Sequence, residues 1–256
     1  MSAPANPPAP PPLCVADDET FWPWLSSPAI GAWPDAADTV VVLPLAGMAD
    51  WGLGHPLDAE ETVLMHVLRD ACRLLPAGRR PLVVPPLRFA FGADPSCAFA
   101  VGQPAAHAMI SEVAASVAAA GFRRIAILNS SPWSEELCSA AARDLRVSRG
   151  LHMFHVHLSA LELDFHPVRS RSRRRLQTLL TSLYGALPEP PGPPAPAPAA
   201  AAWGDESVVA LAGAPEPLER ARTEGAAILA EAAGRVAKLL GDIRDRAPLS
   251  ARITPT

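Results

Sequence analysis

Residues 39–45, TVVVLPL, form an unbroken apolar run dominated by β-branched side chains. A strand points successive side chains to opposite faces, so a run that is apolar at every position must be covered on both sides. That predicts a central strand of a parallel sheet with helices above and below. The rest of the chain repeats the alternation. Residues 58–75 place Val63, Val67 and Cys72 with Leu64, Leu68 and Leu75 at helical spacing, behind Asp58, Glu60 and Glu61, acids suited to a helix N-terminus. PLVVPPL (81–87) predicts the next strand, 103–120 a helix, and RRIAILN (123–129) a further strand. A helix over 134–145 with Ser134 as N-cap, a strand LHMFHVHL (151–158), a helix over 173–187 and a closing helix over 217–246 complete the order. The implied class is α/β: a three-layer α/β/α sandwich with a mainly parallel sheet.

With 256 residues, 49% of them apolar, the chain can bury one large core. Residues 2–12 are almost all Pro and Ala, so residues 1–20 are expected to be a disordered tail. A single domain follows over 21–247, interrupted by a Pro/Ala-rich loop at 188–202, and 248–256 form a C-terminal tail. A net charge of −4 and a pI near 6.0 offer no general attraction to nucleic acid or anionic lipid. No apolar stretch approaches the ~20 residues that cross a bilayer, and the first residues lack a signal-peptide layout. Cys14, Cys72, Cys97 and Cys138 have no CxxC spacing, which favours free thiols. A cytoplasmic protein with no membrane or nucleic-acid partner is expected.

RRIAILN is preceded by AAAGF and followed by a turn and a helix, and VVVLPLAGMADWGLGHPL ends a strand in a Gly-rich loop. Together these resemble the creatininase family, whose members carry P-x-G-S-x-E-x-H-G-x-H-L-P after the first strand and G-F-x-x-x-x-x-x-N-G-H-G-G-N around a later one. GADPSCAFAVGQ (92–103) stands where the family has G-x-S-x-E-H-x-x-F-P-G-T, and ALAGAPEPLERARTEGAAIL (210–229) resembles the segment before its last helix. The likeness keeps its order from residue 39 to 240 and retains Pro44, Gly52, Pro56, Gly92, Gly102, Gly121, Asn129, Gly213, Pro215 and Gly225.

The resemblance implies a creatininase-like fold and hydrolysis of amide C–N bonds by two divalent metals, usually zinc or manganese, held by carboxylates and imidazoles. Residue by residue, those ligands are replaced. The Glu of the first motif falls on Ala49 and its His on Trp51; the second His falls on Gly54, one residue before His55. The next Asp falls at Glu60 or Asp58, so one carboxylate survives. The later histidine falls on Ser131, followed by Pro132 and Trp133. Where the family has H-A-G-x-x-E-T-S, SRRRLQTL puts Ser172 at the histidine and Gln177 at the glutamate. Alanine, tryptophan, serine and glutamine do not replace such ligands. No metal is therefore expected at the family position, where Trp51 and Trp133 put bulky rings that fill the pocket or reshape it for an apolar ligand.

Other side chains keep functional readings open. His55, Asp58, Glu60 and Cys97 could form a displaced site for one divalent metal, zinc, manganese or iron; the plainer reading is loop polarity, a helix cap and a buried thiol. His155 and His157 share one face of their strand, with His152 opposite and His166 beyond, an arrangement more often found at a strand surface or interface than around a metal. Ser130 and Ser131 sit between strand and helix, but the G-x-S-x-G glycines of a nucleophile elbow are missing. Asn129 is expected to hold the turn through its side chain. Arg169, Arg171, Arg173, Arg174 and Arg175 gather at a helix start, where like charge is unfavourable unless an anion or an acidic partner neutralises it. Trp22, Trp24 and Trp33 are expected in core packing.

The function that follows is a non-catalytic creatininase-like subunit, structural or regulatory, working with a protein partner or as a homo-oligomer. The alternatives are a diverged amidohydrolase using the displaced site and a small-molecule binding protein using the Trp51 and Trp133 pocket.

Overall fold

The computed structural model describes residues 15–91, 97–166, 173–188 and 217–247. Its strands are β1 (Val40–Ala46), β2 (Met48–Ala49), β3 (Leu82–Val83), β4 (Leu87–Arg88), β5 (Ala90–Phe91), β6 (Cys97–Ala98), β7 (Ala100–Val101), β8 (Arg124–Asn129) and β9 (His152–His157). Its helices are α1 (Ser27–Gly31), α2 (Ala59–Leu74), α3 (Gln103–Ala119), α4 (Glu135–Arg149), α5 (Arg173–Tyr184) and α6 (Leu218–Asp245). In the main sheet β3, β1, β8 and β9 lie side by side, all parallel, and β4 continues along the β3 edge of β1. Two small pairs, β2 with β6 and β5 with β7, stand beside it.

Alternation along the strands divides the core in two. Val40, Val42 and Ala46 of β1 and Ala126 and Leu128 of β8 pack with α2, α5 and α6. Val41, Leu43 and Leu45, with Ile125 and Ile127, face α3 and α4 on the other side. Every residue of β1 and β8 is buried, as the apolar run requires. The result is the expected three-layer α/β/α arrangement with a mainly parallel sheet. The connection leaving β1 enters α2 on one face, whereas that leaving β8 enters α4 on the other. Their carboxyl ends therefore flank a switch point, where open α/β sheets form a crevice.

Several boundaries differ from the sequence expectation. The strand expected over 81–87 is two short pieces, because Pro85 and Pro86 between them carry no N–H for the ladder. The helix expected to end at 145 runs on to Arg149 and stops where Gly150 adopts a φ of 63°. Ser134 occupies its N-cap position without a side-chain cap hydrogen bond. The helix expected over 173–187 ends at Tyr184, before Gly185 with a φ of 65°. The tail drawn over 1–20 is too long: the Thr20 hydroxyl donates to Asp17 at 3.1 Å, Val83 N–H donates to the Thr20 carbonyl at 2.9 Å, and Arg73 reaches Asp17 at 3.3 Å. Residues 1–14, the Pro/Ala segment beyond Pro188 and the tail 248–256 lie outside the described residues. Trp22 and Trp33 pack on the α3/α4 core, while Trp24 is exposed and rests edge-on against Phe21. Among the described residues no helix is long and apolar enough to cross a membrane.

Candidate functional site

β1 and β8 end together, Leu45 beside Asn129, and the loops they feed, 47–58 and 130–134, meet at the carboxyl edge of the sheet. Asn129 holds the second loop: its Nδ2 donates to the Ser131 carbonyl at 2.7 Å and its Oδ1 accepts from Ser131 N–H at 3.2 Å. Ser130 N–H donates to the Leu45 carbonyl at 3.1 Å, which fixes one loop on the other.

Glu60 stands at the centre, on the first turn of α2 and 0% exposed. Its Oε2 accepts from Gly47 N–H at 2.6 Å, its Oε1 accepts from Trp51 Nε1–H at 2.9 Å, and the Ser131 side chain adds a further hydrogen bond. Burial disfavours the charge more than these donors favour it, and the carboxyl is pushed up to about 7. Gly47 permits the approach: a Cβ there would lie 3.1 Å from both Glu60 oxygens.

Trp51 is buried and stacked on Trp133, with ring centroids 6.1 Å apart, and against Phe165 at 5.8 Å; Trp133 in turn meets His166 at 4.9 Å. The Trp51 carbonyl accepts from Arg173 Nη2 at 2.6 Å. Gln177 lies one turn further along α5, buried, and among the described residues its Nε2 has no hydrogen-bond partner; the same holds for Trp133 Nε1 and for Arg173 Nε and Nη1. Ala49 faces Cys97 across the β2–β6 pair. Thus Trp51, Glu60 and Ser131 converge directly, while Ala49 lies buried on β2 and Gln177 lies buried on α5.

The displaced set does not converge in the same way. His55 contacts Thr181 Oγ1 at 3.4 Å and stacks on Tyr184 at 5.3 Å, and burial lowers its imidazole to about 4. Asp58 accepts from the Tyr184 hydroxyl at 2.6 Å, and the phenol is pushed up by burial first and by that hydrogen bond second. Glu60 directs both oxygens to other donors, and Cys97 sits opposite Ala49. Among the described residues no group of three or more His, Cys, Asp and Glu side chains is placed to hold a metal ion. Nor does the donor set fit the metal pair that the resemblance implies. An indole N–H offers a proton and no lone pair, and it occupies one of the two oxygens of the surviving carboxylate.

His155 Nδ1 lies 3.1 Å from His157 Nε2, and His157 Nδ1 lies 3.2 Å from Asn129 Nδ2. Burial, then Arg146 and Arg143, lower His155. Of the arginines, Arg173 serves the Trp51 carbonyl and Arg175 pairs with Glu231 of α6, an acid within the chain; Arg174 is exposed on the first turn of α5, and Arg171 lies outside the described residues. Sequence reasoning missed two partners, Gly47 against Glu60 and Arg173 on Trp51. A glycine directly after an all-buried strand was the available signal for the first.

The family model "Creatininase: Creatinine amidohydrolase" matches residues 24–180, more than half of the chain. A solved structure titled "Creatininase Mn" superposes with a TM-score of 0.64 at 17% identity, covering 89% of this chain and 99% of that one. A "creatinine amidohydrolase (creatininase)" gives 0.63 at 19% identity, covering 89% and 99%. A substituted creatininase of "Zn-Zn type" gives 0.63 at 17%, covering 88% and 98%. At these identities the structural likeness is one of fold. A comparison with curated proteins gave no match.

Proposed function

Since the chain belongs to the creatininase family, we propose that it is a non-catalytic member, a structural or regulatory subunit that keeps the scaffold and acts through a protein partner or a further copy of itself. The observation that carries this reading is the state of Glu60. Trp51 and Ser131 stand where the family motifs have histidine, and both hydrogen-bond to the one surviving carboxylate. Substitutions at separate places in the chain thus form one internally bonded cluster, as expected of a centre reshaped for packing. The structures titled "Creatininase Mn" and "Zn-Zn type" name metals for those relatives; in this chain the positions that the resemblance matches to ligands carry alanine, tryptophan, serine and glutamine.

The displaced-site hydrolase draws no comparable support, because His55 and Asp58 are engaged with Thr181 and Tyr184. Elemental analysis of the purified protein, with co-purification from its native host, tests the proposal. The expected result is substoichiometric metal and a stably retained partner or self-assembly. Tightly bound zinc, manganese or iron at one equivalent, lost in His55→Ala, would return the displaced site.

A further inference from the structure

Most of the unpartnered buried polar atoms near Trp51 and along the start of α5 are donors, the Ser134 hydroxyl beside Trp133 being able both to donate and to accept. Arg173 Nε and Nη1, Gln177 Nε2 and Trp133 Nε1 are all donors, all buried and, among the described residues, all without an acceptor, whereas buried polar groups in folded proteins are nearly always paired. They are also neighbours. Arg173 and Gln177 stand one turn apart on the same face of α5; Arg173 Nη2 is tied to the Trp51 carbonyl, and the Trp51 ring stacks on Trp133. Gln177 is only 4% exposed, so bulk water does not satisfy its amide. Arg173 begins a helix of 12 residues, whose first N–H groups add partial positive charge at the same end. Among the described residues the acceptor that its guanidinium reaches is a neutral carbonyl. Glu60, the acid bonded to Trp51, has its oxygens held by Gly47, Trp51 and Ser131.

Three lone-pair-seeking atoms beside one aromatic stack, and a fourth one helical turn from Arg173, have the polarity opposite to a metal site. We propose that this centre is an oxyanion site, in which Arg173, Gln177 and Trp133 donate to the carboxylate or phosphate group of a small molecule whose apolar part lies against the tryptophan rings. The proposal rests on the reading of the centre as metal-free.

Calorimetric titration of the full-length protein with inorganic phosphate and, separately, acetate, at constant ionic strength with chloride as the blank, tests it. The expected result is saturable binding of at least one of the two anions, weakened at least tenfold in Arg173→Met and several-fold in Gln177→Met, with both variants checked for a native thermal transition. Saturation by phosphate alone assigns a phosphate ester, and saturation by acetate alone a carboxylate. If Arg173→Met fails to fold, Gln177→Met carries the test. No saturable heat beyond chloride, or unchanged affinity in the folded variants, overturns the site. Metal analysis of the same sample separates the two readings. Anion binding that survives chelation supports the oxyanion site whatever the metal content, and binding abolished by chelation overturns it.

Discussion

A carboxyl group with no exposed surface and three donors sits between two opposing effects at Glu60, and the balance sets a pH dependence. Burial raises it to about 7 against 4.5 for the free group, so folding favours the protonated form. Below the unfolded value both states hold the proton and the contribution is complete. Between the two values the unfolded chain releases its proton while the folded one retains it, and stability falls by up to about 1.4 kcal/mol per pH unit. Above the folded value the contribution is lost. Urea unfolding at about pH 5 and about pH 8 should show the native chain losing about 2–3 kcal/mol more than Glu60→Gln over that interval; equal losses would mean that another group titrates. Trp51→Phe keeps an aromatic ring on Trp133 but removes the N–H that serves Glu60 Oε1 together with part of the packed indole. It should cost about 1–3 kcal/mol in the same measurement and push the Glu60 carboxyl further up.

At the scale of elements, α5 and α6 cross closely at Gly225. A Cβ on Gly225 would lie 2.3 Å from the Ser182 Cβ, a distance that requires the helices to part. Gly225→Ala therefore sets two effects against each other: helix propensity favours alanine by about 0.8–1 kcal/mol, and overpacking costs about 1–3 kcal/mol or more. The steric effect should win, lowering the thermal midpoint, and Ser182→Gly in the same chain should recover part of the loss. A raised midpoint in the single variant would show that the crossing yields. The elements that make this contact were legible because their signal is local: apolar spacing marked α2, α5 and α6, and the all-apolar run marked β1. The two-residue pairs β2–β6 and β5–β7 carry no period and depend on which loops the sheet brings together. The same division governs the site. Ala49, Trp51 and Ser131 are assigned by the resemblance, whose motifs follow two strong strands in sequence. Arg173 reaches the Trp51 carbonyl across 122 residues, and no local pattern announces such a pairing. The orphaned Gln177 amide likewise became visible only once α5 was packed.

For the whole molecule the question is what holds the sheet's carboxyl edge together, where the resemblance would have placed a metal pair. The layers close on both faces of β1 and β8, and Arg124, buried at the opposite end of β8, donates to the Ile243 and Arg246 carbonyls at 3.3 and 2.5 Å and to Asp38 at 2.9 Å, fastening the end of α6 to the sheet. At the carboxyl edge the Glu60 hydrogen bonds and the Trp51–Trp133 stack join the loops after β1 and β8. A metal that binds only the folded state stabilises it in proportion to its occupancy, by RT ln(1 + [L]/Kd). A centre built around such an ion therefore softens when the ion is removed. Here the joining groups are side chains, so dialysis against EDTA should leave the thermal midpoint unchanged, and added zinc or manganese should not raise it. A fall on chelation, restored by one particular metal, would place a ligand set in this chain that the Glu60 cluster does not account for. An unchanged midpoint in the native chain and a lowered one in Trp51→Phe would locate the join in the Trp51 indole, its hydrogen bond and its packing together.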